Sequence, residues 1–237
     1  GRLSPMIGSM IQSFPLDGWR NEFFLAEKIG FEIIEWVLDE ETILKNPIMD
    51  LEGRREINRI KEESGIEIPS ICCDNFMTAP LLSDDDTINS KSFEVLEYLI
   101  KVCPEVGIKY IELPFVNESS LNGEKGKAAI INCFDKLHPI LFSSNVYILM
   151  ELDLKPESLL DFITLFNSNH ICLNYDTGNS AYWSFDSDKE IALYGKHISN
   201  VHIKDCTPED YSVELGKGNV KFGNFFQSIA EKGYKGD

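Results

Sequence analysis

The 237-residue chain has no apolar run approaching 18 residues, so nothing in it reads as a membrane-spanning helix. No charged-then-apolar leader opens it, and no secretion signal is expected. Basic residues are scarce: 22 Lys and Arg stand against 39 Asp and Glu, a formal charge of −17. Nucleic acid is held by neutralising phosphates with Lys and Arg, so this balance argues against a nucleic-acid partner. The acidity reads instead as a solvated surface that keeps the protein soluble. The six cysteines, Cys72, Cys73, Cys103, Cys133, Cys172 and Cys206, show no CxxC spacing, and most fall within expected strands or helices. They fit reduced thiols in a cytoplasmic protein rather than a disulfide framework. There is no low-complexity linker and no visible domain boundary, so residues 1–237 are expected to form one domain.

What the chain does have is alternation. "FEIIEWVL" (31–38), "IEIPSICC" (66–73), "IKYIELPF" (108–115), "YILMELDL" (147–154), "ICLNYD" (171–176) and "ISNVHIKD" (198–205) read as strands. Helices are expected after them near 50–64, 86–105, 124–142, 156–167, 188–196 and 221–232. Gly30, Gly65, Gly107 and Gly233 fall at helix ends, where a left-handed cap is wanted. Such alternation means parallel strands with helices outside. In an open doubly wound sheet the central strands are covered on both faces and read as continuous apolar runs. Here Leu149 and Glu151 share one parity, as do Asn174 and Asp176, and Asn200, His202 and Lys204. The opposite parity carries Ile148, Met150, Leu173, Tyr175, Val201 and Ile203. That pattern fits a barrel with an aliphatic outer face and a polar lumen whose C-terminal mouth carries the chemistry. No Gly-rich dinucleotide fingerprint follows any strand, which weakens the open sheet further. The expected fold is an α/β, (β/α)8 TIM barrel.

Glu151, Asp176 and His202 each fall at the C-terminal end of a successive strand, all on the lumen parity. Neighbouring strands can bring two carboxylates and an imidazole to one point. That mixed oxygen and nitrogen set suits Mn2+, Mg2+, Co2+ or Zn2+. Alone, each has a plainer reading: a strand-end His is often only hydrogen-bonded, and "DTGN" could be a turn.

The stretches "ELDL", "NYDTGNS", "NVHIKD", "LGKGNVKF" and the opening "GRLSP" resemble the xylose-isomerase-like barrels. That superfamily includes sugar and sugar-phosphate isomerases and epimerases, a dehydratase and zinc AP endonucleases. The resemblance runs nearly end to end and is strongest over 147–234. It implies a divalent metal held by Glu, Asp, His and a further Glu from the last strand, with the first and last carboxylates moving the proton in the epimerases. Matched by position, Glu151 is ligand and base, and Asp176 and His202 are ligands. Many relatives carry a histidine three residues after the aspartate; here that position is Asn179, which can hydrogen-bond a sugar hydroxyl but cannot titrate. The chain opens on "GRLSP" without a preceding strand and closes on "GYKGD". The first and eighth strands of the family pattern, and the fourth ligand, are therefore expected to be missing from it. A trinuclear zinc nuclease site needs several histidines at the mouth. Of His138, His170, His197 and His202 only the last is placed there; the others are expected on helices or helix ends, solvated or capping.

For substrate, Arg2 is the arginine expected at the mouth, since Arg20, Arg54, Arg55 and Arg59 fall on helices. "LGKGN" offers Gly216 and Gly218 amides with Lys217, an anion cradle or a flexible turn. Lys204 can hold a substrate oxygen or neutralise the acidic mouth. Glu35 and Glu112 lie on strands and face the lumen, to bind hydroxyls or to orient neighbours. Trp183 is a pocket wall or plain packing. The reading is a metal-dependent isomerase or epimerase of a small sugar or sugar phosphate, working through an enediolate. The alternatives are a dehydratase on the same scaffold and a non-catalytic metal- or sugar-binding barrel. Nothing in the sequence excludes a homo-oligomer.

Overall fold

Six parallel strands follow one another in space as they do in sequence: β1 (Trp36–Val37), β2 (Ser70–Cys72), β3 (Tyr110–Phe115), β4 (Tyr147–Leu152), β5 (Ile171–Asp176) and β6 (Ile198–His202). The structure is a computed structural model that describes residues 3–5, 12–82, 86–121 and 123–236. A doubly wound sheet reverses its strand order at a switch point. This one does not, and it curls as a partial barrel with its helices outside. They are α1 (Trp19–Ile29), α2 (Leu51–Ser64), α3 (Asn75–Thr78), α4 (Asp86–Val102), α5 (Gly123–Ser144), α6 (Pro156–Ile163), α7 (Thr177–Tyr182), α8 (Ser187–Tyr194) and α9 (Phe222–Glu231). None among the described residues is long and apolar enough to cross a membrane.

Side-chain parity sorts the strands into two layers. Ile71, Cys73, Ile111, Leu113, Ile148, Met150, Leu173 and Tyr175 pack into one core with the helices. The residues between them, Cys72, Glu112, Leu149, Asn174 and Asn200, are also buried but face the lumen side. Helix ends follow local chemistry. The Asp50 carboxylate accepts from Gly53 N (2.8 Å) to start α2, and Gly30, Gly65, Gly107 and Gly233 all take positive φ.

The strands are shorter than the sequence suggests, for two local reasons. Pro69 has no N–H to give, so the β2 ladder begins at Ser70, while Pro69 O accepts from Lys109 N and Tyr110 N. At the other end β6 stops at His202 rather than Asp205. The Thr177 hydroxyl accepts from Lys204 N (3.0 Å) and donates to Lys204 O (2.6 Å), taking the place of a ladder partner. The chain then turns outward, so Ile203, expected on the buried parity, is 42% exposed. Asp205 forms an isolated antiparallel bridge with Val213.

Candidate active site

His202 leaves β6 on the lumen side and reaches across to Glu35, just before β1. Its Nε2 lies 2.8 Å from Glu35 Oε1 and 3.2 Å from Glu112 Oε2. Glu35 is held in turn by the Ser70 hydroxyl, which donates to Oε2 (2.5 Å). The other ring nitrogen, Nδ1, faces Glu151 Oε2 at 3.7 Å. Asn174 ties the group together from β5: its Nδ2 lies 3.0 Å from Glu112 Oε1, 3.1 Å from Glu151 Oε2 and 3.1 Å from His202 Nδ1. Asn200 Nδ2 donates to Asn174 Oδ1 (2.9 Å) and so sets that amide's orientation.

The electrostatics are those of crowded carboxylates. Burial, and after it the charges of Glu35 and Glu151, push the Glu112 carboxyl well above the usual range. Burial also raises Glu35, but the hydrogen bond and charge of His202 outweigh it and the net shift is downward. Burial pulls the His202 imidazole down, yet the hydrogen bond to Glu35 and the charges of Glu35, Glu151 and Asp176 prevail and push it up to about 9. Asn174 pulls the other way, because an amide N–H pointing at Nδ1 favours a lone pair there. Nε2 is committed to Glu35, so when the ring loses its second proton the lone pair lies on Nδ1.

Two groupings among the described residues bring three ligand atoms within 4.8 Å of one another: Glu112, Glu151 and His202, and Glu35, Cys72 and Glu112. Glu112 Oε2 is buried and makes no hydrogen bond, because His202 Nε2, 3.2 Å away, is bonded to Glu35 instead. Carboxylates gathered around an imidazole offer the mixed oxygen and nitrogen donors that fit a divalent cation. Asp176 is in neither grouping. Met150 pairs with Leu173, so Glu151 lies level with Asn174, and Asp176 stands two residues further toward the rim. There its Oδ1 accepts from Asn179 N (2.9 Å) and caps α7. Burial and then the Glu151 charge raise its pKa.

Above this floor Asn179 and Lys204 meet. Asn179 Nδ2 donates to Glu151 Oε1, while Lys204 Nζ lies 3.4 Å from Asn179 Oδ1 and 3.9 Å from Asp176 Oδ2. Lys204 crosses directly over Gly178, where a Cβ would lie 2.7 Å from its Cγ, so "DTGN" needs its glycine. A small cavity of about 30 Å³ opens beside Glu151, Asp176 and Asn179, lined also by Trp183 and Phe185.

The Gly216 and Gly218 amides do cradle an anion, and it is the chain's own. Both donate to Asp205 Oδ2 (2.9 and 2.8 Å), while Cys206 N and Val220 N donate to Oδ1 (3.0 and 3.1 Å). Lys217 is exposed on that loop, and Arg2 lies outside the described residues. His138 lies on α5. His170 is buried rather than solvated: it precedes β5, bonds Val146 O through Nδ1 (2.8 Å) and stacks on Tyr147. Residues that sequence reasoning did not place at the site are Ser70, Asp205 and Tyr211. Asn174 and Asn200 were legible only as lumen parity. An aspartate followed by a G-x-G about ten residues on was the available signal for Asp205; Tyr211 left none.

A profile described as xylose isomerase-like TIM barrel matches residues 23–236. L-ribulose-5-phosphate 3-epimerase UlaE of Escherichia coli O1:K1 / APEC is 26% identical over 229 residues, covering 92% of this chain and 80% of that protein. Among solved structures, D-psicose 3-epimerase with D-tagatose from Clostridium cellulolyticum H10 matches with a TM-score of 0.76 at 15% identity, over 92% of this chain and 77% of that one. The IOLI protein with a bound zinc atom matches with a TM-score of 0.74 at 17% identity, over 94% and 82%. At those identities the two structures speak for the fold.

Proposed function

The chain belongs to the xylose isomerase-like TIM barrel family, and from that membership and the geometry of its mouth we propose a divalent-metal-dependent epimerase acting at carbon 3 of a small ketose phosphate such as L-ribulose 5-phosphate. The curated relatives and several structural neighbours are sugar epimerases, which supports the broader class, a sugar isomerase or epimerase. The observation that carries the finer reading is the convergence of Glu151 and His202 at the mouth, among more carboxylates than local cations balance. Six free cysteines support a reducing, cytoplasmic setting.

Glu151, His202 and Asp176 would hold the ion, with Glu112 beneath them. Bound there, a divalent cation supplies Lewis-acid stabilisation of negative charge on a carbonyl oxygen. The chain's own residues do the rest. Glu151 is the base that takes the proton from the carbon beside the carbonyl. Asn179 on Oε1 and Asn174 on Oε2 keep its carboxylate from rotating. Epimerisation needs an acid on the opposite face to return a proton, the role the family resemblance gives to the last-strand carboxylate, so Glu151 serves one face only. Lys204 takes a substrate oxygen, with Asn179 beside it. Lys217 and Arg2 are assigned to a terminal phosphate, and Gly216 and Gly218 act by shaping the loop that carries Lys217.

The test is deuterium wash-in at carbon 3 of L-ribulose 5-phosphate in D2O, with Mn2+ or with chelator. Exchange should require the metal, and Glu151→Gln should slow it by about 10²–10⁴-fold, the usual worth of a general base. Undiminished exchange in chelator, or none with any ketose phosphate in a panel, would sink the proposal.

A further inference from the structure

The loop between β6 and α9 enters the mouth through one phenol. The Tyr211 hydroxyl donates to Asn179 Oδ1 (2.7 Å), and its ring lies over Lys204, with Nζ 3.4 Å from the centroid. The ring's other neighbour is Tyr182 of α7, edge-on at 5.5 Å. At its root the loop is pinned by the four amides that converge on Asp205.

We propose that Tyr211 is a positioning residue for Glu151, acting through Asn179, so that docking of the loop and readiness of the base are one event. The proposal rests on the reading of Glu151 as the base. Its core is the orientation of an amide. The two ends of an Asn side chain are nearly the same size, but only one orientation places N–H on the Glu151 carboxylate. The other points Oδ1 at Oε1, oxygen against oxygen. What selects the productive orientation is the pair of donors aimed at Oδ1, Tyr211 Oη at 2.7 Å and Lys204 Nζ at 3.4 Å. The phenol is the closer, and it comes from a segment with no other hold on the carboxylates among the described residues. The ring acts separately from the hydroxyl. Placed over Lys204, it keeps the ammonium on the Asp176 side of the mouth through a cation–π contact. Tyr211 is 46% exposed, so a substrate entering from solvent meets this residue before it meets Glu151.

Hydroxyl and ring are separable by mutation. Tyr211→Phe keeps the ring and should lower kcat about three- to tenfold, the effect of one hydrogen bond, with KM within about twofold. In an Asn179→Ala background the same change should have no further effect, because the path runs through that amide. Tyr211→Leu, which also frees Lys204, should raise KM as well. The side-chain amide resonances of Asn179, followed by 15N NMR without substrate, should move in Tyr211→Phe while the variant still melts cooperatively. An unmoved Asn179 signal, or an equal loss of kcat with and without Asn179, overturns the proposal. Should the wild type turn over no ketose phosphate, the epimerase reading fails, and the Asn179 signal still decides the coupling.

Discussion

Replacing Asp205 with asparagine should release the 206–220 loop while leaving the barrel folded. The carboxylate is 1% exposed and takes two backbone N–H groups on each oxygen: Cys206 and Val220 on Oδ1, Gly216 and Gly218 on Oδ2. Asparagine has one oxygen, so in either orientation an NH2 group confronts two donors. The less costly orientation keeps Cys206 and Val220, because Gly216 is exposed and Gly218 partly so, and water can reach them. Leaving a donor without its partner costs about 1–3 kcal/mol, and solvent access puts both glycines at the low end. The docked loop should lose roughly 2–3 kcal/mol, about 30–150-fold in its docking equilibrium. The strands gain or lose no contact, so the melting temperature should fall by only a few degrees. Amide hydrogen exchange over 206–220 reads the effect directly and should quicken by about that factor. The pH dependence supplies a second check. Burial pushes Asp205 up, but its four amide partners outweigh that and hold it below the ordinary carboxylate value. A lowered carboxylate stabilises above its unfolded pKa and loses that contribution as pH falls through the folded value. Protection in the wild type should therefore fade on acidification toward the level of the variant, whose side chain does not titrate. Equal protection of the two proteins at neutral pH would refute this account of the loop.

Three further outcomes are expected. Glu35→Gln leaves His202 Nε2 an acceptor but removes its charge, so Mn2+ affinity measured by calorimetry should weaken about 10–100-fold, the usual effect of losing a ligand's supporting partner; unchanged affinity would show that Glu35 does not orient the ring. Gly178→Ala places a Cβ 2.7 Å from Lys204 Cγ and 3.0 Å from its Cβ, too near the root of the side chain for the lysine simply to swing away, so thermal stability should fall as KM rises; an unchanged melting temperature would show that the glycine is not required there. Glu190 is buried beneath the hydroxyls of Tyr175, Ser180 and Tyr194, and burial outweighs their donation, so its pKa is raised. A raised carboxyl stabilises below its unfolded pKa and loses that contribution as pH rises through the folded value. Glu190→Gln should therefore gain on the wild type as pH rises above the ordinary carboxylate range in urea denaturation, and a constant difference would refute it.

The lumen was readable where its cause is local. Side chains alternate along a strand whatever its neighbours do, so Glu151 and His202 could be placed on the inner face from "MEL" and "NVH" alone. Height around the barrel is another matter, because register is set by how far each strand slides past the last. The slide between β4 and β5 puts Glu151 level with Asn174 and lifts Asp176 to the rim, and nothing inside "NYD" records it. Contacts between distant segments leave still less trace. Glu35 and His202 stand 167 residues apart, and each looks alone like an ordinary polar residue of a strand. The loop shows why a true pattern can mislead: G-x-G did announce backbone amides around an anion, but a Cβ at Gly218 would collide with Asp205, so the glycine is there for an internal carboxylate. That changes how the mouth is understood. Its floor is built by strands, whose geometry the barrel imposes, and its upper wall by a loop that the barrel does not hold. Asp205 fastens that loop at the root and Tyr211 fastens it at the base. Variation between those two points can reshape the upper wall of the mouth while leaving Glu151 and His202 in place on the strands.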